Sequence, residues 1–247
     1  MKSLTVLGIL LGVGAIFLGN LLEGGHIASL FQFTAGLIVV GGTLGATLAS
    51  HRSENIRMAL KAFRSTIFSN ETEERRRVAE EITQSALLAR KESILALEKK
   101  VNEFSDPFMR SVFRFVVDGV DPETVRKVFE SEIELHESRK MMAAKVWLDA
   151  GGFSPTIGII GAVLGLIHIM GNLSDTSVLG QGIAVAFVAT IYGVGLANLV
   201  LLPVGNKLKS LVQYRSETED MILEGGLAIL SGLNPYIIEQ KMQAYLQ

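Results

Sequence analysis

Four long stretches of this 247-residue chain carry no charged side chain, and their lengths constrain its fold more than any other feature. Glu23 alone separates residues 3–22 from 24–51, and Asp175 alone separates 150–174 from 176–206. A helix needs about 20 apolar residues to cross a hydrocarbon core of ~30 Å, so each stretch is long enough. The pattern predicts four transmembrane helices in two hairpins, with spans at about 3–22, 28–50, 150–171 and 179–205. The first stretch also mimics a secretory signal peptide, since Lys2 precedes an apolar run. That run is too long for a typical signal core, lacks a clear A-x-A site and is followed by a second span, so a retained helix is expected.

The remaining sequence has the opposite character. Charged residues make up 19% of the chain, below the roughly 25% of soluble domains, yet residues 52–148 hold 18 basic and 17 acidic residues. Apolar positions there recur at helical spacing, at Ile82, Ala86, Ala89, Ile94 and Leu97 and again at Val125, Val128, Phe129 and Ile133. Asp121-Pro122-Glu123 reads as an N-cap with proline at the first helical position. The expected fold is an all-α integral membrane protein with a helical domain inserted between spans 2 and 3. Its parts are a transmembrane hairpin over 1–51, a cytoplasmic helical domain over 52–148, a second hairpin over 149–206 and a cytoplasmic C-terminal tail over 207–247. The last helix of the inserted domain is expected to run on into the third span.

Orientation follows from the basic residues. Lys2, the 18 of residues 52–148 and the 4 of residues 207–247 account for all 23, and neither LLEGGHIAS nor GNLSDTS contains one. Both termini and the inserted domain are therefore placed in the cytoplasm, and Trp147 falls where an interfacial aromatic belongs.

Several function classes drop out. With no cysteine, disulfide frameworks, thiol nucleophiles and cysteine-ligated metal sites are excluded. A net charge of -2 lacks the basic excess of a nucleic-acid binder, and the hydrophobic content excludes a disordered chain. No nucleophile, metal-ligand cluster or phosphate loop stands out, so no catalytic residue, metal or cofactor is assigned. The glycine fragments are not followed by GK[ST] and lie in no βαβ context. Of 25 glycines, 21 lie in 1–51 and 150–206, where small residues let helices approach closely. Gly158, Gly161 and Gly165, and Gly41, Gly42 and Gly45, supply such faces.

No Asp, Glu, Lys or Arg sits near the centre of a span, although such groups ordinarily mark an ion path. His168, in the outer half of the third span, is the one titratable candidate, as a packing histidine or as a relay. If an ion crosses here, another subunit must supply the carboxylate. Pro155 and Pro203 stand at matching depth near the cytoplasmic face, as hinges or as a helix start and a helix end. Thr190, deep in the fourth span, either bonds back to a carbonyl four residues earlier or lines an ion path. In the inserted domain, Arg90, Lys91 and Glu98 read as solvated helix charges, with Arg90 and Glu98 two turns apart on one face. Arg75 to Arg77, beside Glu73 and Glu74, read as solvated surface.

GGTLGA (41–46), SPTIGIIGAVLGLIHIM (154–170), LGQGIAVAFVATIYGVGLANLVLLP (179–203) and NPYIIEQKM (234–242) give the chain a family likeness. It resembles the MotA family of flagellar-motor stator subunits, within the MotA/TolQ/ExbB ion-channel superfamily, over essentially its whole length. The resemblance implies a homopentamer in the bacterial inner membrane around two helices of a MotB-type partner. That partner is a single-span, peptidoglycan-binding subunit whose aspartate carries the ion. It also implies that ion flow turns the pentamer against the rotor protein FliG. Pro155 and Pro203 match the family's functional prolines, and Arg90, Lys91 and Glu98 its rotor-facing charges. Sodium-driven relatives tend to carry a threonine where this chain has Ala162, while Thr190 matches a second threonine. H+ is therefore the expected ion, with Na+ the other possibility. The alternative function is an ExbB/TolQ-like energiser of envelope transport, which needs fewer spans before the inserted domain.

Overall fold

Apolar stretches and helices coincide in the computed structural model, which describes residues 4–68, 71–171 and 176–246. Every regular element there is helical, with no strand among the described residues. The helices are α1 (Leu4–Leu22), α2 (Phe33–Ser50), α3 (Ser53–Phe68), α4 (Glu71–Lys91), α5 (Glu98–Val101) and α6 (Pro107–Val117). After them come α7 (Pro122–Met170), α8 (Thr176–Leu196), α9 (Leu202–Leu230) and α10 (Pro235–Ala244). Short 3-10 turns precede α2 and α5, and a π turn (Ala197–Leu201) joins α8 to α9. The centre of the expected second loop, residues 172–175 with Asp175, lies outside the described residues.

By their contacts the residues fall into two units, one of 1–69 with 141–209 and one of 70–140 with 210–247. Among the described residues three helical stretches are long and apolar enough to cross a membrane: Ile27–Ser50, Pro122–Met170 and Gly182–Leu230. The apolar helix Val6–Leu22 is shorter. Leu10, Phe33, Leu48, Ile167 and Phe187 are all at least half exposed, which suits a lipid environment and would be a liability in water. α2 packs on α8 through Ala35, Val39, Val188 and Ala189. The Tyr192 hydroxyl donates to the Leu30 carbonyl at 2.5 Å and accepts the Gln32 N–H at 3.3 Å. At the other end of α2, His51 Nε2 lies 3.1 Å from Asp149 Oδ2, an ion-pair distance once the imidazole is protonated though not aligned as a hydrogen bond.

The helix expected to enter the third span is continuous: α7 runs for 49 residues. The Asp121 carboxylate accepts the Thr124 N–H at 3.0 Å, as an N-cap should. The helix after span four also continues, since α9 reaches Leu230 instead of ending near 205.

The second unit is a helical core. Ile82, Leu97, Met109, Val112, Phe113 and Phe129 pack with Met221, Ile222, Ile238 and Met242. The segment expected as a tail thus supplies core side chains. Asp106 and Asn234 cap α6 and α10, each ahead of a proline.

Candidate functional site

α7 and the run from α8 into α9 lie antiparallel, in backbone contact. A Cβ on Gly158 would sit 2.9 Å from the Ala189 carbonyl oxygen and 3.1 Å from the Gly193 Cα. One on Gly165 would sit 3.0 Å from the Ala186 nitrogen and 3.1 Å from the Gly182 oxygen, and one on Gly161 2.8 Å from the Ala189 Cβ. Ser154, Gly158, Gly161 and Gly165 therefore meet Gly193, Ala189, Ala186 and Gly182, two small-residue series with the same spacing run in opposite directions. Such a seam replaces hydrophobic expulsion as the cause of helix association in lipid. The Ser154 hydroxyl, fully buried, adds a hydrogen bond to the Gly193 carbonyl at 2.9 Å. The expected second glycine face is thinner: a Cβ on Gly42 would sit 2.6 Å from Ile157, whereas one on Gly41 or Gly45 would meet nothing within 4 Å.

Pro155 lies inside α7 and so marks no helix start, and Pro203, the second residue of α9, marks no helix end. Pro155 sits about two thirds of the way along α7. With no N–H it leaves the carbonyl of Gly151, four residues back, without its helical donor. Pro203 follows the π turn after one residue, Leu202. The Leu202 N–H donates to the Ala197 carbonyl, five residues back. The widened turn makes room for a ring that would clash in an ordinary α-turn. These two irregular places are neighbours: a Cβ on Gly151 would come within 2.5 Å of Leu202 Cδ2.

Helical geometry then fixes which way the candidates face. Ala162 and Thr190 each follow by one residue a member of the Gly161–Ala189 contact, and Pro203 follows Leu202. In antiparallel helices such positions turn to the same side of the pair. Pro155, seven residues before Ala162, shares its stripe. α2 occupies the other side, against Ile157, Val188 and Tyr192. All four candidates are half-buried within the single chain. Thr190 Oγ1 also donates to the Ala186 carbonyl at 3.3 Å. His168 is exposed and lines a cavity of about 430 Å³ with Gln32, Thr34 and Gly182.

In the second unit, Arg90, Lys91 and Glu98 are all exposed. Arg90 and Lys91 close the last turn of α4, where positive charge suits the helix dipole. Glu98 opens α5, beyond a break at Ser93 and a 3-10 turn over Ile94–Leu97. The single helix face expected to join Arg90 and Glu98 does not exist, because the backbone is extended at Ser93, between α4 and the 3-10 turn.

The basic run 75–77 needs correction as well. Arg75 is buried rather than solvated. It donates to Thr218 Oγ1 at 2.9 Å, to Glu217 Oε2 at 2.9 Å, to the Tyr245 carbonyl at 3.1 Å and to the Tyr214 carbonyl. Its guanidinium also stacks 3.3 Å from the Tyr214 ring centre. The cue in the sequence was Val78, Ala79 and Ile82, which put Arg75 on the apolar stripe of α4. A second buried set, equally unforeseen, joins Asp106, Arg215 and Glu219. Burial pushes the Asp106 carboxyl up. The Arg215 hydrogen bond and charge, with the N–H groups of Met109 and Phe108, outweigh that and hold it below the ordinary carboxylate value.

Comparison with known proteins agrees with this architecture. Residues 100–221 match the MotA/TolQ/ExbB proton channel family, and residues 6–92 match Motility protein A N-terminal. Motility protein A of Bacillus subtilis (strain 168) is 32% identical over 246 residues, covering 100% of this chain and 91% of the relative. The solved C. jejuni MotAB superposes with a TM-score of 0.92 at 30% identity, covering 100% of this chain and 96% of that one. The flagellar MotAB stator complex from Bacillus subtilis gives 0.88 at 32% identity, with 98% and 95% covered.

Proposed function

This chain belongs to the Motility protein A family within the MotA/TolQ/ExbB proton channel family, and we propose from that premise that it is a stator subunit of the bacterial flagellar motor. It converts ion flow across the inner membrane into torque on the rotor. The observation that carries the detailed reading is the open side of the α7/α8 pair. Pro155, Ala162, Thr190 and Pro203 share it, α2 does not cover it, and no formal charge lies near the centre of any span. A channel wall of this kind needs its ionisable group from elsewhere. A single-span, peptidoglycan-binding partner of MotB type supplies it, with several copies of this chain, five by family likeness, around its helices.

In this reading α1 is the first of four spans, both termini and residues 52–148 are cytoplasmic, and Arg90, Lys91 and Glu98 face the rotor protein FliG. The translocated ion is H+. A sodium site needs several oxygen ligands in place of water, and with Ala162 offering no side-chain oxygen the Thr190 hydroxyl is left to supply one alone. The ExbB/TolQ alternative is less supported, because it leaves unused the hairpin that matches the Motility protein A N-terminal region. We assign no catalytic chemistry.

The test is torque from single motors in a strain lacking this chain and any second stator. Rotation should stop and return on re-expression with the partner, independent of external sodium. Undiminished torque at every load in the deletion strain would refute the stator reading.

A further inference from the structure

We propose that α3 is a docking surface for the anionic headgroups of the cytoplasmic leaflet, held by Arg52, Arg57 and Lys61. The proposal rests on the reading that α2 crosses the membrane and ends at that leaflet.

Position comes first. α2 has 18 residues and spans ~27 Å at 1.5 Å per residue, about the thickness of the hydrocarbon core. Only His51 and Arg52 separate it from α3, and the three chain steps from Ser50 to Ser53 bridge no more than ~11 Å. α3 therefore begins at the membrane boundary, with Arg57 and Lys61 in its first turns.

α3 has two unlike faces. One is closed: Ala59, 1% exposed, packs with Ala143 and Val146 of α7, its carbonyl accepts the Trp147 Nε1–H at 3.1 Å, and Phe63 stacks on the Trp147 ring at 5.3 Å. The other is open. Arg57 and Lys61, four residues apart, stand one above the other, and both are exposed, as is Arg52. Leu60, 65% exposed, lies on the flank between the two faces. Among the described residues no carboxylate comes within ion-pair distance of Arg52, Arg57 or Lys61. Glu54 is the lone acid of α3, so the surface is net positive. Long basic side chains around an exposed leucine suit a lipid interface, where the leucine enters the acyl boundary and the cations reach phosphates. Each such cation strengthens attraction to an anionic leaflet by about fivefold. Anionic phospholipid is the occupant whose charge complements this face and whose plane already meets the end of α2.

The chain has no cysteine, so single labelling sites are available. The complex of the full chain with its companion subunit is reconstituted into nanodiscs of phosphatidylcholine, alone or with phosphatidylglycerol. Spin labels are placed at Leu60→Cys and, as a control in α2, at Leu44→Cys. We expect the Leu44 label in hydrocarbon in both lipids, and the Leu60 label at headgroup depth, losing mobility when phosphatidylglycerol is present. The Arg57→Gln/Lys61→Gln variant should retain several-fold less phosphatidylglycerol through purification, with an unchanged melting profile. Equal retention in that variant overturns the proposal. So does a Leu60 label freely accessible to water reagents in both lipids, or one shielded from both oxygen and water reagents in both lipids, which would mean that a second protein copy covers the face. A Leu44 label in water would instead remove the membrane reading itself.

Discussion

The Ser154 hydroxyl donates to the Gly193 carbonyl at 2.9 Å across the α7/α8 seam, one residue before Pro155. It ties a side chain of α7 to the backbone of α8 beside the place where α7 has lost a hydrogen bond of its own. Ser154→Ala should lower the stability of the purified complex by about 0.6–1.7 kcal/mol, the range for interhelical hydrogen bonds in membranes. The check is a thermal melt in detergent, with subunit composition followed by size-exclusion chromatography.

The seam itself should resist any added carbon. A methyl on Gly193 would lie 2.7 Å from the Ser154 oxygen and 2.9 Å from the Gly158 Cα, both backbone atoms that cannot rotate away. Gly193→Ala should therefore cost about 1–3 kcal/mol by overpacking. Gly195→Ala, two residues on, meets nothing within 4 Å and should be nearly silent. Equal melting of the two variants would show that the seam is looser than its distances imply.

Much of this seam was legible in the sequence, and its limits are instructive. Charge-free lengths gave the apolar helices, and the glycine spacing at 158, 161 and 165 gave the seam, because both properties are local. The glycines at 41 and 45 looked equivalent, yet a Cβ on either would meet nothing within 4 Å, since spacing reveals a possible face and not its partner. Arg90 and Glu98 looked like one helix face because periodicity continues through Ile94 and Leu97 while the backbone turns at Ser93. Arg75 was hidden for a different reason: its partners Tyr214, Glu217, Thr218 and Tyr245 are at least 139 residues away. No local pattern encodes a contact of that range.

Pro155 tests the conformational part of the proposed function. Pro155→Ala restores an N–H that can reach the Gly151 carbonyl and removes the ring that strains the helix there, so α7 should stiffen. Pro155→Leu does the same and adds bulk on the side that faces away from α2. Both variants should co-purify with the partner subunit, and motors driven by Pro155→Leu should lose torque in bead assays. Full torque from Pro155→Leu would return the proline to a purely structural role.

Arg75 should be replaceable by nothing smaller or simpler. Its fork reaches four acceptors while its plane lies on Tyr214, a combination that a lysine ammonium cannot reproduce. Arg75→Lys and Arg75→Leu should each destabilise the protein by about 3 kcal/mol, since they break a buried ionic site and leave carbonyls without donors. Limited proteolysis should then cut near the C-terminus first, because the Tyr245 carbonyl is one of the freed groups.

Asp106 gives the structure a dated acid limit. Its carboxylate caps α6, accepting the Phe108 and Met109 N–H groups at 2.8 and 3.1 Å, and pairs with Arg215 at 2.5 Å. Burial raises its proton affinity, but these partners lower it further, so the folded value lies below the ordinary 3.8. A carboxyl depressed in the folded state stabilises fully above its unfolded pKa of about 3.9 and loses that contribution as pH falls through the folded value. Asp220 acts in the opposite sense: burial, then the negative Glu137 and Glu219, push its carboxyl up, so it costs stability near neutrality and relaxes on acidification. Asp106→Asn separates the two, because asparagine keeps the cap and loses only the charge. At pH 7 the variant should melt lower by an amount equal to about 1.5–3 kcal/mol, the worth of a hydrogen bond to a charged group. The gap to the native protein should hold down to about pH 4 and shrink as pH falls from there through the folded value, below which native Asp106 is itself protonated. A gap that persists undiminished well below the folded pKa would mean that shape, and not charge, is what Arg215 recognises.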